Sequence, residues 1–571
     1  MNTELSGVII TFLLTVILAF PLGKYIAKVF KDERTITDFM NPLERLIFRI
    51  SGIDPAQSMN WKQFLKAMLG INLLWLVYAF FALIFQDKLP LNPDGNPAQT
   101  PDLAFNTAIS FLVNCNLQHY SGESGLTYFT QLFVITFLQF VSAATGIAAL
   151  VALFNGLKEK TTGNLGNFWV LLVKSTTRIL LPLSFVVGII LAFNGTPASY
   201  DGKDTITTLQ GDTVQVSRGP AAGMIAIKQL GTNGGGWFGV NSAHPLENPN
   251  YFTNIVETIS IILIPIALVF ALGFYINRKK LAYVIFGVMT LLFLLFVSIN
   301  IYYETKGNPA IDKMGIAQHI GNMEGKEVRL GSAATAFWSV ATTSTSNGSV
   351  NGMHDSLMPI SGGVVLLDMM INALYGGVGV GLLNYFIFII IAVFISGLMV
   401  GRTPEFMGHK VEAREIKIAA LVWLLTAFLV KGGTALAAYM VAHHPDVAWA
   451  VKPSAWLNNP SYHGFSEMLY EFTSANANNG SGFEGLGDNN IFWNVSTGII
   501  LILSRFIPII GPVAIIGLLA NKKFIPESSG TLRTDSMTFG VMTMAVIVIV
   551  NALSFFPALV LGPLAEFFSL Q

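Results

Sequence analysis

Apolar runs long enough to cross a bilayer as helices lie near 6–30, 64–86, 128–154, 167–193, 254–276, 281–302, 378–400, 415–441, 491–520 and 537–567, which predicts ten spans. Between them lie four shorter apolar stretches, at 103–112, 220–230, 332–343 and 464–475, ten to twelve residues each and too short to span. Each is followed by a Gly-, Asn-, Ser- or Thr-rich stretch and then by the next span, so each reads as a re-entrant helix that dips in and turns back. The order of span, dip, polar stretch and span recurs four times, over 64–154, 167–276, 281–400 and 415–520, and is an internal repeat. The helices at 1–30 and 537–567 stand outside it. The expected fold class is therefore an all-α polytopic membrane protein with ten transmembrane helices and four helix–dip–helix repeats.

The four polar stretches can be laid over one another as tetrads: Val113-Asn114-Cys115-Asn116, Gly231-Thr232-Asn233-Gly234, Thr345-Ser346-Asn347-Gly348 and Ala477-Asn478-Asn479-Gly480. Non-helical backbone at membrane depth costs several kcal/mol per unsatisfied polar group unless it lines water or an ion, so four such segments should share one cavity. Carbonyl oxygens from four loops can replace the hydration shell of a monovalent cation without a fixed counter-charge. Gly suits this role because left-handed backbone is cheap without a Cβ, and Asn tolerates it next best, which accounts for Asn116 where the other tetrads have Gly. The short helices would direct the partial negative charge of their C-terminal ends at the ion. No carboxylate lies in the tetrads, which argues against a divalent cation.

Composition narrows the class further. The 571 residues are 53% hydrophobic and 12% charged, the latter about half the fraction of a soluble domain, which excludes an ordinary soluble enzyme. With 33 basic and 33 acidic residues the net charge is zero and no basic surface is available for nucleic acid. A lone Cys115 excludes an intrachain disulfide framework. The first apolar run lacks a basic n-region and a small-residue cleavage site and reads as a retained span. Basic residues cluster in alternate loops: Lys24 to Lys62, Lys158 and Lys160, Arg278 to Lys280, Lys410 to Lys417, and Lys522 to Arg533. By the positive-inside rule these loops are cytoplasmic and both termini are outside.

The stretches MNWKQFL (59–65), LGTNGGGWF (230–238), SAHPLENP (242–249), NMEGKE (322–327), GLMVGRTPEF (397–406), HGFSEMLY (463–470) and SSGTL (528–532) resemble the potassium-binding A subunits of bacterial Kdp-type potassium-transporting ATPases over essentially the whole chain. The resemblance implies the superfamily-of-K+-transporters fold, with four helix–pore-loop–helix repeats around a pseudo-fourfold K+ selectivity filter and one added helix at each end. It implies a non-catalytic subunit in the bacterial plasma (inner) membrane that selects K+ and passes it through an intramembrane tunnel to a P-type ATPase. The implied partners are the catalytic B subunit, which is that P-type ATPase, the C subunit and the small F subunit of the Kdp complex, together with membrane lipid. Carried over by position, the filter comprises Asn114, Cys115, Asn116 and Gln118; Thr232, Asn233 and Gly234; Ser346, Asn347 and Gly348; and Asn478, Asn479 and Gly480. The first loop departs from the familiar Thr-Asn-Thr-Asn-Trp-Gln, and the third has Asn347 where Cys is familiar. A site using a Thr hydroxyl would lose an oxygen ligand at Cys115. The alternative is a free-standing K+/Na+ transporter of the same superfamily that conducts directly to the cytoplasm.

Other residues have two readings each. Arg402, just after a stretch with Gly376, Gly377, Gly379 and Gly381 that can break the seventh span, is a positive-inside anchor or a fixed cation gating the path below the filter. Arg505 and Lys431, within spans, read as snorkelling residues or as paired at a subunit interface. Glu123, Glu247, Asp355 and Glu484 follow the tetrads and either focus cations at the mouth or are solvated loop charges. The GNMEGKE segment lacks phosphate-loop spacing, and neither Asp-Lys-Thr-Gly nor His-Glu-x-x-His occurs, so ATP hydrolysis and zinc proteolysis are not expected of this chain alone. His443 and His444 read as interfacial residues.

Overall fold

The computed structural model describes residues 3–158, 163–399, 401, 403–525 and 533–570. Among them ten helices are long and apolar enough to cross a membrane: Glu4–Phe30, Trp61–Ile84, Thr130–Lys158, Phe168–Phe193, Tyr251–Tyr275, Lys279–Lys313, Val380–Met399, Ala413–His443, Ile491–Leu519 and Met537–Leu570. Each overlaps the apolar run that predicts it, and the chain is a multi-pass membrane protein. Four of these helices begin on asparagine. Asn60, Asn167, Asn250 and Asn490 each turn a side-chain oxygen onto backbone N–H groups of the first turn, satisfying donors that have no partner inside the helix.

Burial sorts the spans into a centre and a rim. In Thr130–Lys158 and Tyr251–Tyr275 the most apolar window is 89% and 83% buried, whereas in Glu4–Phe30 and Trp61–Ile84 it is 22%. The rim helices present Ile10, Leu13, Ile17, Leu73 and Leu74 outward, a surface that lipid satisfies and water does not. The first span lies along the fifth because Gly23 leaves room for it: a Cβ there would stand 2.6 Å from the Ala267 carbonyl oxygen. Phe20 packs edge-on against Phe270 beside it, with ring centroids 5.4 Å apart.

The four short helices form where the sequence places them, as Pro101–Leu112, Ala221–Leu230, Ser332–Ser344 and Tyr462–Ala477, buried along nearly their whole lengths. Two features were not expected. A short antiparallel hairpin pairs Asp204–Thr207 with Thr213–Val216 ahead of the second short helix. Before the seventh span lies a further apolar helix, Pro359–Ile371, separated from Val380–Met399 by a break. The break is built from positive-φ residues, Asn372, Tyr375, Gly376 and Gly379, and the Gly376 N–H donates to the Ser344 carbonyl at 2.7 Å. The glycine-rich stretch thus breaks the helix and turns the chain under the end of the third short helix.

Candidate ion-binding site

All four short helices stop the same way. The third residue of each tetrad returns its backbone N–H to the carbonyl five residues earlier: Cys115 to Ser110 at 3.0 Å, Asn233 to Lys228 at 2.8 Å, Asn347 to Thr342 at 2.9 Å and Asn479 to Ser474 at 2.9 Å. This is the Schellman stop, which requires a left-handed residue just before the donor. That residue is the second of each tetrad, with φ 63° at Asn114, 48° at Thr232, 51° at Ser346 and 51° at Asn478. The fourth residue is left-handed again, at 62° for Asn116, 94° for Gly234, 86° for Gly348 and 105° for Gly480. The register drawn from the sequence is thus the register of the backbone.

The fourth-position glycines fit against the neighbouring loop. A Cβ on Gly234 would overlap the Asn347 carbonyl oxygen, one on Gly348 that of Asn479, and one on Gly480 that of Cys115. The loops therefore follow one another in a ring, two to three to four to one. Loop one, which carries Asn116 in place of Gly, meets loop two at Gly235, where a Cβ would lie 2.8 Å from that of Asn116. The glycine beyond the second tetrad makes the room that Asn116 takes. Both amide atoms of Asn116 are buried and have no protein partner among the described residues.

The third-position side chains point away from the ring and tie it together. Asn347 Nδ2 donates to the Lys228 carbonyl at 3.2 Å and Asn479 Nδ2 to the Thr342 carbonyl at 2.8 Å, each reaching the preceding short helix. Asn233 donates to the Gln139 carbonyl at 3.1 Å. Cys115 sits instead in an apolar cluster with Ile109, Val113, Leu117 and Phe472, and burial pushes its thiol up. Gln118 is a brace: its amide accepts from the Gly236 N–H at 2.8 Å and donates to the Gly236 carbonyl at 3.1 Å. Lys228, a lone basic residue in a short apolar stretch, carries no motif that marks it in the sequence. It is fully buried against Glu247 and donates to Asn241 Oδ1 at 2.6 Å, while Asn241 donates to the Gly234 carbonyl at 2.6 Å. Glu247 is therefore no solvated or mouth charge but the counter-ion of this network.

Below the ring, the broken segment passes under loops two and three. The Val378 N–H donates to Thr232 Oγ1 at 2.9 Å, which accounts for a Thr held at positive φ. A Cβ on Gly377 would be 3.5 Å from Ser346 Cβ and 3.7 Å from Arg505 Nη1. Arg505 is 3% exposed and donates to the Ser142 carbonyl at 3.1 Å, with no carboxylate partner among the described residues. The snorkelling reading of Arg505 fails: the side chain turns inward, beneath the tetrads, and only the fold reveals which way it faces. Lys431 is exposed on its span, as a snorkelling lysine would be. Arg402 lies outside the described residues.

Above the ring a cavity of about 330 Å³ is bounded by Gln118, His119, Gly348, Gly480, Glu484 and Asp488 among others. Most acidic residues nearby are engaged in structure. Glu123 accepts from the Gly239 N–H at 2.8 Å, and Glu484 accepts from the backbone N–H groups of His354 and Asp355 at 3.2 and 2.9 Å. Lys326 of the GNMEGKE segment pairs with buried Glu304 at 2.9 Å. His443 and His444 lie against the Tyr439 ring.

His463, at the start of the fourth short helix, donates from one ring nitrogen to Asp355 and from the other to Glu566, each at 2.9 Å, so the ring is an imidazolium. Burial works against that charge, but the two carboxylates outweigh it and hold the group up at about 10, from an ordinary value of 6.5. Its stabilisation is fully present below pH 6.5 and is lost as pH rises through about 10. His463→Gln is expected to lower the thermal unfolding midpoint at pH 6, on the order of 2 °C, with the difference closing at high pH. An equal difference at both ends of a pH series of melting curves would contradict the assignment.

The family model described as "Potassium-transporting ATPase A subunit" matches residues 9–568. The chain is 65% identical to the potassium-transporting ATPase potassium-binding subunit of Flavobacterium johnsoniae and 64% identical to that of Phocaeicola vulgatus, with all of each chain covered. It is 48% identical to that of Alicyclobacillus acidocaldarius, over 98% of this chain and 99% of the relative. Among solved structures it is similar to the potassium transporter TrkH from Vibrio parahaemolyticus, at 14% identity and a TM-score of 0.48, over 89% of this chain and 97% of the other.

Proposed function

Because the chain belongs to the potassium-transporting ATPase A subunit family, we propose that it is the potassium-binding, ion-selecting subunit of an ATP-driven K+ pump and that the four tetrads are its selectivity filter. The observation that carries this reading is the shared backbone: left-handed second and fourth residues in all four loops, each fourth-position glycine fitted against the next loop's carbonyl. Alternating handedness brings successive carbonyl oxygens to one side, and four such loops supply a ring of neutral ligands for a weakly hydrated monovalent cation. Because the third-position side chains are occupied behind the ring, the ligands are backbone oxygens, and the thiol of Cys115 costs the site nothing. Asn116, with a buried amide free of protein partners, adds a side chain at the mouth side of loop one. Gln118 holds loop two in place.

The ion's further path turns sideways. Directly below the filter stand the broken segment and the Arg505 guanidinium, a fixed cation that repels K+ and prevents leak into the cytoplasm. Arg402, the other candidate for this role, lies outside the described residues, and Arg505 has the position that the role requires. Beside the broken segment a cavity of about 40 Å³ is lined by Asn372 of the break, Asn384 of the seventh span, Asn476 of the fourth short helix and Asn551 of the tenth span, together with apolar side chains such as Phe388 and Trp423. We assign it to the start of a lateral route toward the ATPase subunit. The basic loops face the cytoplasm of a bacterial plasma membrane and both termini face outward. The catalytic B subunit, the C subunit and the small F subunit complete the complex.

The test is K+ uptake into potassium-starved cells that express the chain with or without the other pump subunits. Uptake only when the ATPase partners are present is expected. Uptake by the chain alone would establish instead a free-standing transporter of the same superfamily.

A further inference from the structure

His119, one residue beyond Gln118, and Asp488, of the loop that follows the fourth tetrad, stand at the wall of the outer cavity, and Glu471 of the fourth short helix is buried behind them. One ligand atom from each lies within 4.8 Å of the other two. Nε2 of His119 is 3.0 Å from Glu471 Oε1 and 4.0 Å from Asp488 Oδ2. The other ring nitrogen, Nδ1, is 2.7 Å from Asn494 Oδ1. The Asn494 amide is oriented independently, because its Nδ2 donates to Asp102 at 2.7 Å. Asn494 Oδ1 therefore accepts, Nδ1 carries the proton, and the Nε2 lone pair is directed at two carboxylates. A positive charge belongs at that point, supplied by a second ring proton or by a metal ion.

A relay that fixes one ring nitrogen while the other faces anionic oxygens is the arrangement that orients a metal-ligating histidine. His463 offers the contrast: carboxylates engage both of its nitrogens, and no lone pair remains. One imidazole and two carboxylates suit Zn2+, whereas K+ has no preference for imidazole. Tetrahedral bonds of about 2.1 Å set ligand atoms about 3.4 Å apart, between the 3.0 and 4.0 Å from His119 Nε2 to the two carboxylates, which themselves offer oxygens within 4.8 Å of each other. The set is also reachable: His119 and Glu471 are buried, but the Asp488 carboxylate is partly exposed and the cavity supplies space for a water in the fourth position.

We propose that His119, Glu471 and Asp488 form a Zn2+ site in the outer vestibule, and that its occupancy blocks K+ from reaching the filter. The site joins loop one to repeat four, the junction at which Gly480 meets Cys115. A divalent ion there, in place of the second ring proton, raises the positive charge at the mouth through which K+ must pass. The blocking half of the proposal rests on the filter reading above, whereas the zinc site does not.

The test uses the purified full chain in detergent and two separate readouts. Competition with a chromophoric zinc chelator is expected to show one tightly held Zn2+ per chain. That binding should disappear in His119→Gln and weaken at least about ten-fold in Asp488→Asn, a near-isosteric change at a partly exposed position that keeps the test valid if His119→Gln fails to fold. Binding of radioactive rubidium, as a K+ surrogate, should fall as Zn2+ is added to the wild type and resist Zn2+ in Asp488→Asn. Absence of zinc binding, or unchanged binding in the Asp488 variant, overturns the site. Zinc bound at these residues without effect on rubidium overturns the block. If rubidium does not bind even in zinc-free buffer, the filter reading has failed, and the chelator titration still decides the zinc site.

Discussion

Gly234→Asp is expected to raise the K+ concentration that half-saturates ATPase stimulation of the assembled pump by at least about a hundred-fold, which corresponds to ~2.7 kcal/mol. Two effects add. Gly234 has φ 94°, a conformation that is strained for any residue with a side chain, and its Cβ would enter the Asn347 carbonyl oxygen. Relief of that overlap must displace either loop two, anchored through Asn241 and Lys228, or the Asn347 carbonyl itself. The added carboxylate then brings a fixed negative charge to a ring that selects through neutral oxygens, favouring small or divalent cations over K+. Gly70→Ala is the matching control, since a Cβ there meets nothing within 4 Å. Normal K+ affinity in Gly234→Asp, measured by titrating ATPase activity with K+, would remove loop two from the filter.

Arg505→Ala is expected to open a passive K+ leak. In proteoliposomes without ATP, K+ flux through the variant complex should exceed that of the wild type at least about ten-fold, the equivalent of ~1.4 kcal/mol off the barrier. The size is conservative. An uncompensated buried cation costs several kcal/mol in its own right, and a second cation brought near it is repelled in surroundings of low polarity. Arg505→Lys keeps the charge and should remain tight, which separates electrostatic exclusion from simple filling of space. If the Ala variant folds, hydrolyses ATP and leaks no more than wild type, the barrier lies elsewhere.

The contrast between these two residues shows what the sequence makes visible. The tetrads are legible because their demands are local: a helix that stops on a left-handed residue, then a second left-handed residue, selects Gly and Asn at fixed spacing after an apolar stretch too short to span. The ten spans are legible because bilayer thickness sets their length. Arg505 is opaque for the converse reason. A single charge in an apolar run has the same sequence appearance whether its helix turns it to lipid, to a partner or to the axis, and only tertiary rotation decides. Lys228 and Glu247 are similar, 19 residues apart in sequence and paired only when the chain after loop two folds back. The break before Val380 lies between: its glycines announce a bend, but not that a separate helix, Pro359–Ile371, precedes it or that Gly376 reaches Ser344.

The mutual fit of the four loops also bears on how such a protein can change over time. Each loop's tolerance is set by its neighbour, so Asn116 can stand in loop one only while Gly235 stays bare in loop two. A chimera that imports one loop from a distant relative would inherit a residue without the vacancy it needs. Recombination should therefore succeed when adjacent loops are exchanged together, and variation at positions 116 and 235 should be correlated across descendants, with the glycine lost last.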